Sequence, residues 1–262
     1  MNMPYQGTGA PITGKALQTT QQRIGCDPAT LWALLTVETR GFGYLTDRRP
    51  KILFERHIFH RLTDGRYDAY ADLSARQPGG YIGGAAEYGR LQRAIALDRD
   101  AALSSASWGL GQIMGYHAGK LHYAGIDAMV DAFVASEDDQ LDGMCRFIET
   151  TPKLRDAMRR EEWATIAFCY NGSAYAKNEY DTKLRQAYQL YDSDGCPDVN
   201  VRAAQVYLTY LGFDPMGIDG RRGRHTLDAL HAFQLKEGLP RDDVIDDATV
   251  DTLQQAFRRR QQ

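Results

Sequence analysis

The segment that most constrains this chain is residues 27–43, DPATLWALLTVETRGFG. Asp27 is a favourable N-cap, and Pro28 falls at the first position of the helix that follows. Leucines then occupy the i, i+3 and i+4 positions of one helix face: Leu31, Leu34 and Leu35. Glu38 lies seven residues after the first leucine and therefore on the same apolar face. Gly41 is suited to end the helix.

A carboxylate at Glu38 is unfavourable in its charged form. Burial disfavours the anion, and so does the negative end of the helix dipole. Both effects raise the pKa of Glu38, and an acid that keeps its proton near neutral pH is suited to general acid catalysis. The segment alone does not exclude the alternative that the Glu38 side chain turns outward or pairs with Arg40.

Composition excludes several classes of function. The 262 residues are 43% hydrophobic and 25% charged, with a net charge of -3, so charge gives no case for nucleic acid or membrane binding. No window approaches a membrane span, and residues 1–21 lack the apolar core of a signal peptide. We therefore expect the chain to be made and held in the cytoplasm. Four cysteines without C-x-x-C spacing, and no H-E-x-x-H motif, predict no metal and no cofactor.

The pattern along the chain indicates two folded parts. Residues 1–12 form a Gly/Pro/Thr-rich leader that we expect to be flexible. Residues 13–192 carry successive helical patterns and one short extended run, ILF at 52–54. A run of turn residues places a linker at 193–198, and residues 199–262 fit a leading helix with two turn-helix units. The expected fold class is mainly α with a minor β element, plus a small three-helix module.

Two further segments stand out beside the Glu38 helix. SWGLGQIMG at residues 107–115 contains three glycines, which disfavour an ordinary helix and indicate close packing. AFCYNG at residues 167–172 ends a predicted helix. With the Glu38 helix, their order resembles the lysozyme superfamily, and most closely the phage endolysin N-acetylmuramidases. That family has a V-E-[ST]-x-G-x-G motif, here VETRGFG at 37–43, and an I-L-F-E-R-H segment, here at 52–57. The resemblance covers about residues 15–192 and implies a lysozyme-like α+β fold.

The resemblance implies roles for particular residues. Glu38 would be the general acid and Glu55 the second carboxylate, although Glu55 could instead pair with its basic neighbours. Asp47 is the alternative second carboxylate, or part of a solvated turn. His57 would orient Glu55 or serve a structural role. The expected substrate-binding residues are Gln112, Tyr170, Asn171 and Trp108, with core packing as the alternative for the two aromatic ones.

The C-terminal segment resembles the three-helix peptidoglycan-binding module. The matching positions include Gln205, Gly212, Asp219, Gly220, Gly223, Thr226, Phe233, Gln234, Gly238 and Leu253. Most of them are structural: Asp219 and Gly220 fit a tight turn, and Thr226 stiffens the helix that follows. Three arginines near that turn are candidate wall contacts: Arg221, Arg222 and Arg224.

The resemblance implies an endolysin that hydrolyses the β-1,4 bond between N-acetylmuramic acid and N-acetylglucosamine and lyses the host cell. It would act as a monomer on peptidoglycan glycan strands of the periplasmic wall, after release from the host cytoplasm by a separate pore-forming protein. One alternative is a lytic transglycosylase with Glu38 as its sole acid/base. Another is a non-catalytic cell-wall-binding protein. The two modules are expected to be separable, with residues 1–192 retaining the chemistry.

Overall fold

The computed structural model describes residues 3–261, apart from the side chain of Ala174. The N-terminal part contains α1 (Gly14–Ile24), α2 (Pro28–Thr39), β1 (Ile52–Phe54), α3 (Arg56–Leu62), α4 (Glu87–Ile95), α5 (Arg99–Ser104), β2 (Ala106–Trp108), β3 (Ile113–Met114), α6 (Ile126–Ala135), α7 (Glu137–Glu149), α8 (Pro152–Arg159), α9 (Trp163–Asn171) and α10 (Tyr180–Asp194). The C-terminal part contains α11 (Val199–Tyr210), α12 (Arg224–Glu237) and α13 (Asp247–Arg259). The predicted fold class, mainly α with a minor β element and a small helical module, is confirmed. Within the described residues, no helix is both long and apolar enough to cross a membrane.

The β element is a small antiparallel sheet in the order β1-β2-β3. Ile52 is paired with Trp108, and Trp108 is paired with Ile113, so the glycine-rich segment forms a hairpin. A Cβ atom on Gly115 would lie 2.3 Å from the carbonyl oxygen of Leu103, which explains why a glycine is needed there. The hairpin can therefore lie directly against the end of α5.

Helix α2 is the central helix of the larger core. Asp27 accepts a hydrogen bond from the Ala29 backbone N–H at 2.7 Å, so the predicted N-cap is present. The run from Ala29 to Leu35 is buried on every side, because α10 packs along the helix and the rest of the core encloses it. The sequence pattern indicated a single apolar face, and this is wrong. Consequently, sharing a face with Leu31 does not by itself bury Glu38.

The C-terminal helices α11, α12 and α13 enclose a small apolar core of their own. Gln205 organises the turn before α12. Its side-chain oxygen accepts hydrogen bonds from the backbone N–H groups of Asp219 and Gly220 at 3.0 and 2.8 Å, and its nitrogen donates to Thr226 at 3.0 Å. These residues of the module motif thus form one hydrogen-bonded cluster, which explains their spacing.

The two parts of the chain pack closely at their junction. Val206 of α11 joins Phe42 and Tyr44 in a buried apolar cluster. Helix α10 continues to Asp194, so the first two residues of the expected linker are helical. The expectation of a flexible leader is wrong for residues 3–12: Ile12 is buried, and Ala10 forms a β-bridge with Ser136. Residues 1 and 2 of that leader lie outside the described residues.

Candidate active site

A cleft of about 910 Å³ opens where the ends of several elements meet. Its wall includes the C-terminal ends of α2 and α9, the residue after β1, and the β2–β3 hairpin. The expected site residues on this wall are Glu38, Glu55, His57, Gln112, Tyr170 and Asn171. Tertiary structure therefore brings together residues from all the segments that resembled the family motifs.

Glu38 is the next-to-last residue of α2 and is half-buried at the base of the cleft. Burial raises the pKa of its carboxyl group to about 7, partly offset by a hydrogen bond donated by the Asn171 side chain at 3.4 Å. The direction agrees with the sequence-based expectation. Asn171 is the last residue of α9, so two helix ends meet at the carboxyl group.

The end of α2 is held by several groups. Arg40 and Gly41 both have left-handed backbone conformations, with φ of 58° and 73°. The Lys51 ammonium group donates a hydrogen bond at 2.9 Å to the carbonyl of Thr39, the residue after Glu38. Burial lowers the pKa of Lys51 to about 8 against the opposing effect of the Glu137 carboxylate. Near neutral pH the ammonium form can therefore complement the negative end of the helix dipole.

Glu55 lies between β1 and α3 and is bound by a tyrosine that the sequence interpretation missed. The Tyr81 hydroxyl donates to the two Glu55 carboxylate oxygens, at 3.0 and 2.8 Å. Burial and the nearby Glu55 carboxylate raise the pKa of Tyr81 to about 12, so the hydroxyl keeps its proton at neutral pH. Nδ1 of His57 lies 3.0 Å from a Glu55 oxygen but without hydrogen-bond geometry. Tyr81 belongs to the Gly/Tyr-rich segment at 64–84, which gives only a loop signal in the sequence.

The buried ion pair between Glu87 and Arg90 positions both Glu55 and Tyr81. The Glu87 carboxylate accepts the backbone N–H groups of Ile82 and Gly83 through one oxygen, and the N–H of Phe54 and the Arg90 guanidinium through the other. It thereby binds the residue before Glu55 and the residue after Tyr81. These hydrogen bonds and the Arg90 charge outweigh burial, which alone would raise the pKa of Glu87, and they hold that pKa below its usual range.

Gln112 and Tyr170 line the cleft, but their polar groups are already bonded to protein. The Gln112 amide donates to the carbonyls of Lys51 and Gly109 and accepts from the Ser107 hydroxyl. The Tyr170 hydroxyl donates to the Gly111 carbonyl at 2.6 Å. Both side chains therefore brace the glycine-rich hairpin. Exposed rings of Tyr81 and Tyr116 are instead available on the cleft wall for contact with sugars.

Two expected site residues do not reach the cleft. Trp108 is fully buried, and its indole N–H donates to the Leu103 carbonyl at 3.1 Å, so the interpretation of Trp108 as a sugar-binding residue is wrong. Asp47 is not part of the described cleft wall. Its carboxylate is bound by the Arg49 guanidinium at 2.7 and 3.0 Å within a turn. Burial alone would raise the pKa of Asp47, but the Arg49 hydrogen bonds and charge lower it. The turn interpretation of Asp47 therefore fits the structure better than a catalytic role.

Among the residues that the structure describes, no group of three or more His, Cys, Asp or Glu side chains is arranged to hold a metal ion. The polar groups of the cleft include carboxylates, tyrosine hydroxyls and amides. This set suits proton transfer to a bound sugar and hydrogen bonding to its substituents.

Comparison with known proteins identifies the family of the chain. Residues 27–192 match the family model described as N-acetylmuramidase, and residues 197–253 match that described as putative peptidoglycan binding domain. No curated protein matches the chain. The chain is similar to the crystal structure of the Burkholderia AP3 phage endolysin, with 40% identity and a TM-score of 0.65 over 71% of this chain and 72% of that one. The chain thus belongs to the N-acetylmuramidase family and carries a C-terminal peptidoglycan-binding domain.

Proposed function

We propose that this protein is an endolysin that hydrolyses the β-1,4 bond between N-acetylmuramic acid and N-acetylglucosamine in peptidoglycan. The observation that carries the proposal is that Glu38, with its pKa raised to about 7, and Glu55 line one cleft. A pair of carboxylates flanking the scissile bond is the usual arrangement for glycoside hydrolysis. The exposed tyrosine rings on the same wall fit a carbohydrate ligand.

Glu38 acts as the general acid and transfers its proton to the glycosidic oxygen as the bond to the anomeric carbon breaks. Glu55, oriented by Tyr81, either activates the attacking water or stabilises the positive charge that develops at the sugar. Water supplies the hydroxyl group at the anomeric carbon and a proton that restores Glu38. Because the acid must be protonated, kcat should fall as the pH rises through about 7.

The direct test is product analysis with purified peptidoglycan. We expect new reducing ends on N-acetylmuramic acid, and loss of this activity in Glu38→Gln. A large fall of kcat in Glu55→Gln, with no such effect of Asp47→Asn, would support Glu55 as the second carboxylate. Anhydromuramic ends would instead show transglycosylation with Glu38 as sole acid/base. Undiminished product release by Glu38→Gln would refute the assigned role.

We further propose the division of the chain into a catalytic domain at 13–192, a linker at 193–198 and a wall-binding domain at 199–262. The protein would act as a monomer on the periplasmic wall after release by a separate pore-forming protein. In this proposal Glu38→Gln still sediments with purified peptidoglycan but no longer clears permeabilised Gram-negative cells. If the variant fails to sediment while its fold is intact, wall binding requires the catalytic carboxylate and the division of roles is wrong.

A further inference from the structure

Helix α11 of the wall-binding domain inserts an arginine into the catalytic domain. Arg202 and Glu137 are 1% and 0% exposed. Two guanidinium nitrogens of Arg202 each lie 2.7 Å from a different carboxylate oxygen of Glu137. This is a fully buried, bidentate ion pair that joins the two domains.

Two further N–H groups of Arg202 bind the turn that follows the Glu38 helix. Nε of Arg202 donates to the carbonyl of Gly41 at 2.9 Å, and a second N–H donates to the same oxygen. Glu137 in turn accepts the backbone N–H of Gly43 at 2.8 Å. One ion pair therefore binds this turn at the Gly41 carbonyl and at the Gly43 amide, which lie three and five residues after Glu38.

The turn has little freedom to move on its other side. A Cβ atom on Gly43 would lie 2.0 Å from the side-chain oxygen of Gln140, which itself accepts the backbone N–H of Leu110. The turn is thus packed against α7 and the glycine-rich hairpin, and Arg202 closes it from the side of the wall-binding domain.

We infer that Arg202 is a positioning residue for the glycosidase reaction: through the Gly41 carbonyl it fixes the end of α2 and hence the placement of Glu38. The inference rests on the proposed function. It makes the wall-binding domain part of the support of the active site, whereas the sequence indicated two separable modules. A displacement of about 1 Å in a catalytic group can cost roughly a hundredfold in rate, so a support of this kind affects kcat.

The test uses the full-length chain and soluble glycan oligomers prepared from peptidoglycan, because such a substrate removes the contribution of wall affinity. For Arg202→Met we expect kcat to fall by about tenfold or more while KM changes by less than about threefold, the pattern of a lost transition-state interaction. Arg202→Lys keeps the positive charge but not the planar guanidinium group that binds both oxygens of Glu137. Its kcat should therefore lie between those of the wild type and Arg202→Met.

A double variant separates positioning from global stability. Glu137→Gln with Arg202→Met removes the buried negative charge that the single change leaves without its cation. Thermal stability should therefore recover in part relative to Arg202→Met, in part only because the backbone N–H groups of Ile12 and Gly43 then have one side-chain oxygen to share. The Gly41 carbonyl still lacks its donor, so kcat should stay low. The matched control is Arg260→Met, because Arg260 lies in the same domain and also donates to a backbone carbonyl, that of Leu211. We expect the control to leave kcat unchanged.

The inference is overturned if Arg202→Met keeps the wild-type kcat, or if the double variant regains kcat together with stability. Either result would give Arg202 a structural role only. Failure of the proposed function looks different, because the wild-type chain would then release no reducing ends from the same oligomers.

Discussion

Replacing Glu38 with glutamine should abolish glycosidase activity and, at alkaline pH, make the protein more stable. The pKa of the Glu38 carboxyl group is raised from 4.5 to about 7 by burial. A difference of this size corresponds to about 3 kcal/mol in the free energy of unfolding. Between pH 4.5 and about 7 the folded state binds a proton that the unfolded state has lost, so the stability of the wild type falls as the pH rises through this window. Glutamine is neutral throughout and avoids this cost.

The expected result is therefore a difference that depends on pH. At pH about 4 the wild type and Glu38→Gln should unfold at nearly the same denaturant concentration, whereas at pH about 8 the variant should be more stable by about 3 kcal/mol, or roughly 6 °C in Tm for a chain of this length. Intrinsic fluorescence suits the measurement, because the three tryptophans, Trp32, Trp108 and Trp163, all lie in the catalytic domain. Each unfolding curve is compared with that of a control variant that is changed outside the active site.

Asp156→Asn provides that control, because it makes the same acid-to-amide change on an exposed position of α8. It should give no comparable gain at the higher pH. If the free energies of unfolding of Glu38→Gln and the wild type differ by the same amount at both pH values, burial does not raise the pKa of the Glu38 carboxyl group. The argument for Glu38 as an acid with a raised pKa would then fail, even if the variant were inactive.

Three other changes test the remaining parts of the site. Tyr81→Phe removes the hydrogen-bond donor to Glu55 and should lower kcat by about tenfold. Because the Tyr81 side chain is half-exposed, the free energy of unfolding should change by only about 0.5 kcal/mol. An unchanged kcat would show that Tyr81 has no part in the mechanism. Trp108→Ala should cost about 3–5 kcal/mol in chemical denaturation, because the side chain is fully buried, and a raised KM without loss of stability would instead restore the sugar-binding interpretation. A fragment of residues 1–192 lacks Arg202 together with α11, so Glu137 loses its charged partner but becomes accessible to water. By denaturant titration the fragment should be about 1.5–3 kcal/mol less stable than the catalytic domain in the full chain; equal stability would show that the ion pair contributes little.

Local signals in the sequence predicted the elements that carry the site. Asp27 and Pro28 mark the start of α2, and Glu38 follows at the distance that places it near the helix end. The extended run at 52–54 and the glycine-rich segment became the strands of the sheet. These predictions succeed because caps, turns and short extended runs depend on neighbouring residues, whose preferences act over a few positions.

The surroundings of each side chain could not be obtained in the same way. Trp108 carries the same signal whether it stacks on a sugar or fills a core, and only packing shows that it is buried. Tyr81 reaches Glu55 across 26 residues because Glu87 binds the backbone beside both of them. The spacing of apolar residues in the sequence identifies which residues share a face of a helix or strand, but it does not show what packs against that face.

The sequence by itself determined that an acid ends an apolar helix and that a wall-binding motif follows the catalytic segments. Tertiary structure decided what that acid contacts and how firmly it is held. Asn171 is 133 residues from Glu38, and Arg202 is 161 residues from Gly41. The burial that sets the pKa of Glu38 and the ion pair that fixes its turn are both made by residues distant in the chain, so they exist only once the helices have packed.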